Sequence, residues 1–235
     1  MKKTLILLLA LAVLPILGKC IGAYKTGDEL YVWAVSGLNL REKPAQEAAK
    51  LTNIPYGSKV KVIGTAVKQI SFQVNEFTGY TIKGFWVEIQ FGNQRGFAFD
   101  GFLSKIAPPT KEEKYMQFEY FKRVFTQKST STTPPKGTMT IPNTYEYHLY
   151  TNGLSGDSYQ FEGGVTSGIT IPVTLLSLEE VYLLAKLLYK EDSGVYKSEY
   201  KASPLSIIIT SKDELNQVEI VKKGTYYTVT FSVAD

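Results

Sequence analysis

Apolar and polar residues alternate in short runs along most of the chain, and a period of two predicts β-strands. From residue 24 onward such runs are Leu30-Tyr31-Val32-Trp33-Ala34-Val35, Leu38-Asn39-Leu40-Arg41, Lys59-Val60-Lys61-Val62-Ile63, Phe85 to Phe91, and Arg95-Gly96-Phe97-Ala98-Phe99. Ser36-Gly37, Glu42-Lys43-Pro44, Pro55-Tyr56-Gly57 and Gly92-Asn93-Gln94 punctuate them with turn residues. Several short strands at this spacing predict a small barrel, with Leu38, Leu40, Val60, Val62, Val87 and Ile89 pointing inward and glycines 37, 57 and 96 at sharp turns. Ile70, Phe72, Val74 and Phe77, in the long segment from Thr65 to Gly84, predict an added hairpin. Pro108-Pro109 closes the unit.

The period then changes. Thr110-Lys111-Glu112-Glu113 fits a capping box, and Tyr115, Phe118, Phe121 and Phe125 recur at helical spacing, predicting a helix to about Gln127. Lys128 to Gly137, rich in Ser, Thr and Pro, lacks the apolar residues that repay ordering and reads as a linker. Strands come next at Tyr145/Tyr147/Leu149, Tyr159/Phe161 and Ile169/Ile171/Val173, with turns at Asn152-Gly153, Ser155-Gly156-Asp157 and Gly163-Gly164. Ser177-Leu178-Glu179-Glu180 is a second capping box. Val181, Leu184, Ala185 and Leu188 place one apolar stripe on the best-patterned helix of the chain. Gly194 and Pro204 punctuate the stretch after this helix. Ile207 to Ile209, Val218 to Val221 and Tyr227 to Val233 are strands, the last two joined at Lys223-Gly224. The expected class is mainly β: a barrel, then an α+β domain built as an antiparallel sheet with one main helix. The boundaries are 1–23 leader, 24–107 first domain, 108–137 helix and linker, 138–235 second domain.

Met1 to about Gly18 has Lys2 and Lys3 ahead of an apolar run from Leu5 to Leu17, shorter than a bilayer span and patterned as an export signal. Leu17-Gly18-Lys19-Cys20 resembles the lipobox of bacterial lipoproteins, which implies lipidation at Cys20, although Lys19 stands where that family has a small residue. Cleavage after Ala23 is the competing reading, and both place the protein outside the cytoplasm. The net charge of +4 is largely the leader's: 26 basic residues less Lys2, Lys3 and Lys19 leave 23, against 22 acidic. A near-neutral body without a dense Lys/Arg run argues against nucleic acid as partner. With Cys20 as its one cysteine and His148 as its one histidine, the chain lacks the parts of a Cys–His peptidase, a His-rich zinc site or a disulfide framework. No metal or cofactor is expected.

Gly37-Leu38-Asn39-Leu40-Arg41-Glu42-Lys43-Pro44 resembles the GLNVR-x-x-P signature of bacterial SH3-like domains. Tyr56-Gly57-Ser58-Lys59-Val60-Lys61-Val62 resembles their G-x-K-V-x-V strand, Phe85 to Ile89 their G-W-x-K-V strand, and Gly96 to Leu103 their closing G-W-V-x-x-x-Y-L block, with Phe97 in place of Trp. Four blocks in order over some eighty residues, about 28–106, make the resemblance specific; the second half resembles no family. It implies an SH3-like barrel that recognises cell-wall peptide or an envelope protein without catalysis. The candidates for the aromatic face that such a groove needs are Tyr31, Tyr56, Trp86, Phe99 and Phe102, with Asp100 as a polar partner; core or rim packing is the alternative for each aromatic. Arg41 and Glu42 either brace the adjacent loop by hydrogen bonding or stand as a solvated surface pair.

Enzyme readings are weaker. Ser58 to Lys61 and Ser198 to Lys201 fit S-x-x-K, and Lys25-Thr26-Gly27 fits K-T-G, but in the wrong order and without an S-D-N block. Asp157 and Glu162 could serve a carboxylate-dependent wall hydrolase, yet they sit among turn residues. His148 lacks a partner of its own kind, and a structural role outweighs a catalytic one. The expected protein is therefore an exported, non-enzymatic component of the cell envelope, in the periplasm or at the outer membrane or cell surface. Its membrane contact is limited to an N-terminal lipid, and a protein–protein scaffold without wall binding is the alternative.

Overall fold

A computed structural model describes residues 24–64, 67–75, 79–113, 116–136, 142–188, 196–203, 205–211 and 215–234. The leader with Cys20 and Ala23 lies outside them, as do Phe77, Tyr115, Gly137, Tyr189, Gly194 and Pro204.

The N-terminal half forms one antiparallel sheet from β1 (Glu29–Val32), β2 (Leu38–Arg41), β3 (Lys50–Ile54), β4 (Lys59–Val62), β5 (Val67–Asn75), β6 (Thr81–Phe91), β7 (Gln94–Phe99) and β8 (Leu103–Ser104). Its order is β3-β2-β7-β6-β4-β1-β8, with β5 folded onto β6 as the expected hairpin. All six residues expected inside are buried. The predicted barrel does not close, because no pairing joins β3 to β8 among the described residues. With only two residues, β8 is too short to present an edge to β3. Gly37 and Gly57 adopt the expected positive φ, +82° and +76°. Gly96 does not: it sits within β7, where a Cβ would lie 2.5 Å from the Arg41 carbonyl oxygen, so its role is to let β7 and β2 approach. Arg41 does brace its loop, donating to the Ala48 carbonyl at 2.6 Å.

The second sheet is also antiparallel. It runs β13 (Tyr196–Ala202), β14 (Leu205–Ser211), β15 (Asn216–Lys223), β16 (Tyr226–Ala234), β12 (Gly164–Pro172), β11 (Ser155–Phe161), β10 (Thr144–Tyr150), β9 (Gln127–Ser131). Alternation sets its inner face: Ile207, Ile209, Val218, Ile220, Val229 and Phe231 are buried. Two expectations change here. Gln127–Ser131 opens the expected linker but pairs with β10 as an edge strand, with Lys128, Ser129 and Thr130 exposed. The 155–157 segment is strand rather than turn, because Gly156 lets the Phe118 ring settle onto the sheet; a Cβ there would lie 2.7 Å from that ring.

Helix α1 spans Gln117–Val124 and α2 spans Leu178–Leu188. The first is shorter than predicted. Glu113 accepts from the Thr110 N–H at 2.8 Å, as a capping box requires, but Arg123 also holds it at 2.6 Å, which fixes 110–113 as a separate turn. The capping box of α2 forms at its predicted place: Glu180 accepts from the Ser177 N–H at 2.8 Å, and the Ser177 hydroxyl accepts from the Glu180 N–H at 3.2 Å. Beyond the stripe of Val181, Leu184, Ala185 and Leu188, this helix also buries Glu180, Tyr182 and Leu183. It has two covered faces, one against β15 and β16, the other against a 3₁₀ turn (Asp100–Phe102) of the first half.

Candidate functional site

The residues expected to grip a ligand are mostly committed to packing. Trp86 and Phe99, paired across β6 and β7, are each 3% exposed, and Asp100 is 1% exposed. Phe102, half-buried, meets the Phe99 ring edge-on at 5.6 Å. Trp86, Phe99 and Asp100 are thus no part of an open groove. The physical reason lies in β6: Trp86 and its neighbour Val87, on opposite faces of the strand, are both buried, so the strand has no solvent face at this point. Tyr56 is half-buried and donates its hydroxyl to the Pro109 carbonyl at 2.7 Å, with burial raising its pKa well above the ordinary phenol value. It fastens the Pro108-Pro109 exit to the sheet. Tyr56→Phe is expected to lose about 1 kcal/mol, read from urea unfolding, because a half-buried carbonyl loses its donor. Tyr31 alone keeps a ligand-like setting, half-buried with the Lys59 ammonium 5.4 Å from its ring centre, and Lys59 also pairs with Glu29 at 3.1 Å.

Where the halves meet, three carboxyl groups gather. Asp100 accepts from the Phe85 N–H at 2.7 Å through one oxygen, while the other has no hydrogen-bond partner. Burial first, and then the nearby Glu179 charge, push its pKa up to about 7. Glu179 is itself raised by burial and hydrogen-bonds Tyr80, whose ring packs 4.8 Å from Tyr182 of α2. Glu180 accepts from the buried Ser104 hydroxyl at 2.5 Å. Tyr24, raised chiefly by burial, donates to the Leu103 carbonyl at 2.6 Å. No three His, Cys, Asp or Glu side chains among the described residues could share a metal ion. Within the cluster the Glu180–Ser104 bond and the Glu179–Tyr80 bond run between the two halves; the capping box marked Glu180 as a helix cap, but no sequence motif announced its partner in the first half.

Open concavity lies elsewhere. A cleft of about 680 Å³ sits between α1 and the second sheet, floored by β10, β11, β12, β15 and β16, with Leu188 of α2 also in its lining. That volume lies within the range of small-ligand sites. Phe118, Val165 and Phe231 supply apolar surface; Glu146, Gln160 and Asn216 supply polar groups. Beside it His148, 4% exposed, stacks under Phe118 at 4.4 Å between ring centres. One ring nitrogen lies 3.3 Å from Glu146 and the other 3.5 Å from Gln127, so this histidine is packed into the floor.

The carboxylate pair considered for hydrolysis is not brought together. Asp157 lies in β11 and accepts from the Gly168 N–H at 3.1 Å, with burial raising its pKa. Glu162 comes just after the strand in an exposed turn, roughly 15 Å further along at the usual rise. Hydrolytic pairs stand about 5–10 Å apart.

Residues 36–104 match the family model of the bacterial SH3 domain, a span that holds the four signature blocks. Neither a curated protein nor a solved structure matches the chain.

Proposed function

We propose that the protein is an exported component of a bacterial cell envelope that acts by non-catalytic recognition of peptidoglycan peptide. The observation that carries this is the bacterial SH3 match over 36–104, since such modules bind rather than transform, often in the envelope. The basic and apolar leader, with Cys20 at its end, supports export. Because Trp86 and Phe99 are buried, the recognition surface is assigned to the exposed part of Tyr31 and its Lys59–Glu29 pair.

A second reading, an envelope scaffold that binds protein and not wall, rests on the same match, since SH3 domains mediate protein binding. Co-sedimentation of the full chain with purified sacculi separates the two. Binding above a control protein, reduced severalfold by Tyr31→Ala, is the expected result. Absence of sedimentation together with specific crosslinks in intact cells favours the scaffold. A lytic band on wall-substrate zymography overturns both.

A further inference from the structure

We propose that the cleft between α1 and the second sheet binds a short extended peptide through a side chain that carries an ammonium group. Three features of the lining select this ligand. The first is size and form: about 680 Å³ of open space runs along strands and is walled by Phe118, Val165 and Phe231, surfaces on which aliphatic side-chain stems lie flat.

The second is its amides. Gln117 and Asn216 line the cleft, and their side chains make no hydrogen bond among the described residues; Gln160 carries one, to the Thr144 hydroxyl at 3.2 Å. A side-chain amide both donates and accepts, as a peptide group does, so these residues are matched to a ligand backbone.

The third is charge. Among the described residues the lining holds Glu119 and Glu146 but no Lys or Arg. Glu119 lies in the first turn of α1 and pairs with Lys122 at 2.7 Å, so its charge is already answered. Among the described residues Glu146 has His148 as its one basic neighbour, and its side chain is 59% exposed, which leaves one available carboxylate at the rim. A carboxylate facing a cleft whose described lining carries no cation selects a cation.

The inference does not depend on where the protein resides or on what its first half binds. It is tested with two probe peptides, Ala-Ala-Lys-Ala-Ala and its acetyl-lysine counterpart, both capped at their ends so that the lysine ammonium is the only charge that differs. Each is titrated into the isotope-labelled full chain and monitored by NMR. The lysine peptide is expected to saturate with shifts at Thr144–Glu146 and Ser158–Gln160, and to bind about three- to fivefold more tightly than the acetylated one, the range of an exposed ion pair. Glu146→Gln, an exposed isosteric change, should erase that preference, and Asn216→Ala should weaken both peptides. Failure of both peptides to bind, equal binding of the two, or a preference that survives Glu146→Gln overturns the proposal. Sacculus binding by the same protein would be untouched by any of these results, so the two readings fail separately.

Discussion

Asp100→Asn is expected to stabilise the protein by about 2 kcal/mol at pH 8 and to leave it nearly unchanged at pH 4. The carboxyl is 1% exposed, has one oxygen without a partner, and faces Glu179, so its charged form is disfavoured in the fold and its pKa rises to about 7 from an ordinary 3.8. The unfolded chain gives up the proton near pH 4, whereas the folded chain holds it until near 7. The stability that the protonated group confers is therefore complete below about pH 4, declines through the interval, and is gone above 7. About three pH units at about 1.4 kcal/mol each make the full span on the order of 4 kcal/mol. Asparagine keeps the oxygen that accepts from Phe85 but places an N–H₂ where the unpaired oxygen lies, and this new buried donor takes back part of the gain.

Thermal unfolding at pH 4, 6 and 8 checks this. For a chain of this length the pH 8 gain corresponds to about 4–8 °C. A residual pH slope of the same sign should persist in the variant, because burial also raises Glu179, which Tyr80 and nearby Lys83 hold down only in part. Parallel pH profiles for the two proteins would mean that Asp100 is already ionised in the fold and compensated.

Strands with one covered face showed both their place and their inner face in the sequence, whereas a strand covered on both faces showed its place alone. Val60 and Val62 alternate with exposed lysines 59 and 61, and β4 reads directly from that. In β6, Trp86 next to Val87 looks the same whether tryptophan faces solvent or core; only the partners across β7 and beyond it decide. The same holds for α2, where the apolar stripe was read but Tyr182 is buried with the ring of Tyr80, some hundred residues away in the chain, packed against it. The cleft was invisible for a related reason: Glu146 and Asn216 belong to strands with three others between them in the sheet order. β9 and β13 were missed because edge strands need few apolar residues; Glu199 and Lys201 in β13 are exposed and charged, a composition that discourages further pairing.

Glu180→Ala is expected to cost about 3–5 kcal/mol, because two buried donors lose one charged acceptor. Its carboxylate performs two tasks at once. One oxygen accepts from the Ser177 N–H and closes the cap of α2; the other accepts from Ser104 in β8, 76 residues away. Ser104 is 0% exposed, and its oxygen also receives the Ile106 N–H at 3.1 Å, so its hydroxyl proton has nowhere else to go once the carboxylate is removed. Two controls divide the loss. Ser177→Ala removes the capping hydroxyl and should cost about 1 kcal/mol. Ser104→Ala leaves a buried carboxylate oxygen without its donor and should cost about 2–3 kcal/mol. Glu180→Ala combined with Ser104→Ala should then cost less than the sum of the two, because both delete the same bond, and the shortfall in this double-mutant cycle measures the bond between the halves. Urea unfolding monitored separately by tryptophan fluorescence, which reports Trp33 and Trp86 of the first half, and by far-UV circular dichroism, which reports both halves, reads this directly. Coincident transitions in the parent that separate in Glu180→Ala would place the coupling of the two sheets in this carboxylate. Additive losses, with transitions that still coincide, would assign it instead to the apolar contacts of Tyr80 with Tyr182 and leave Glu180 a helix cap.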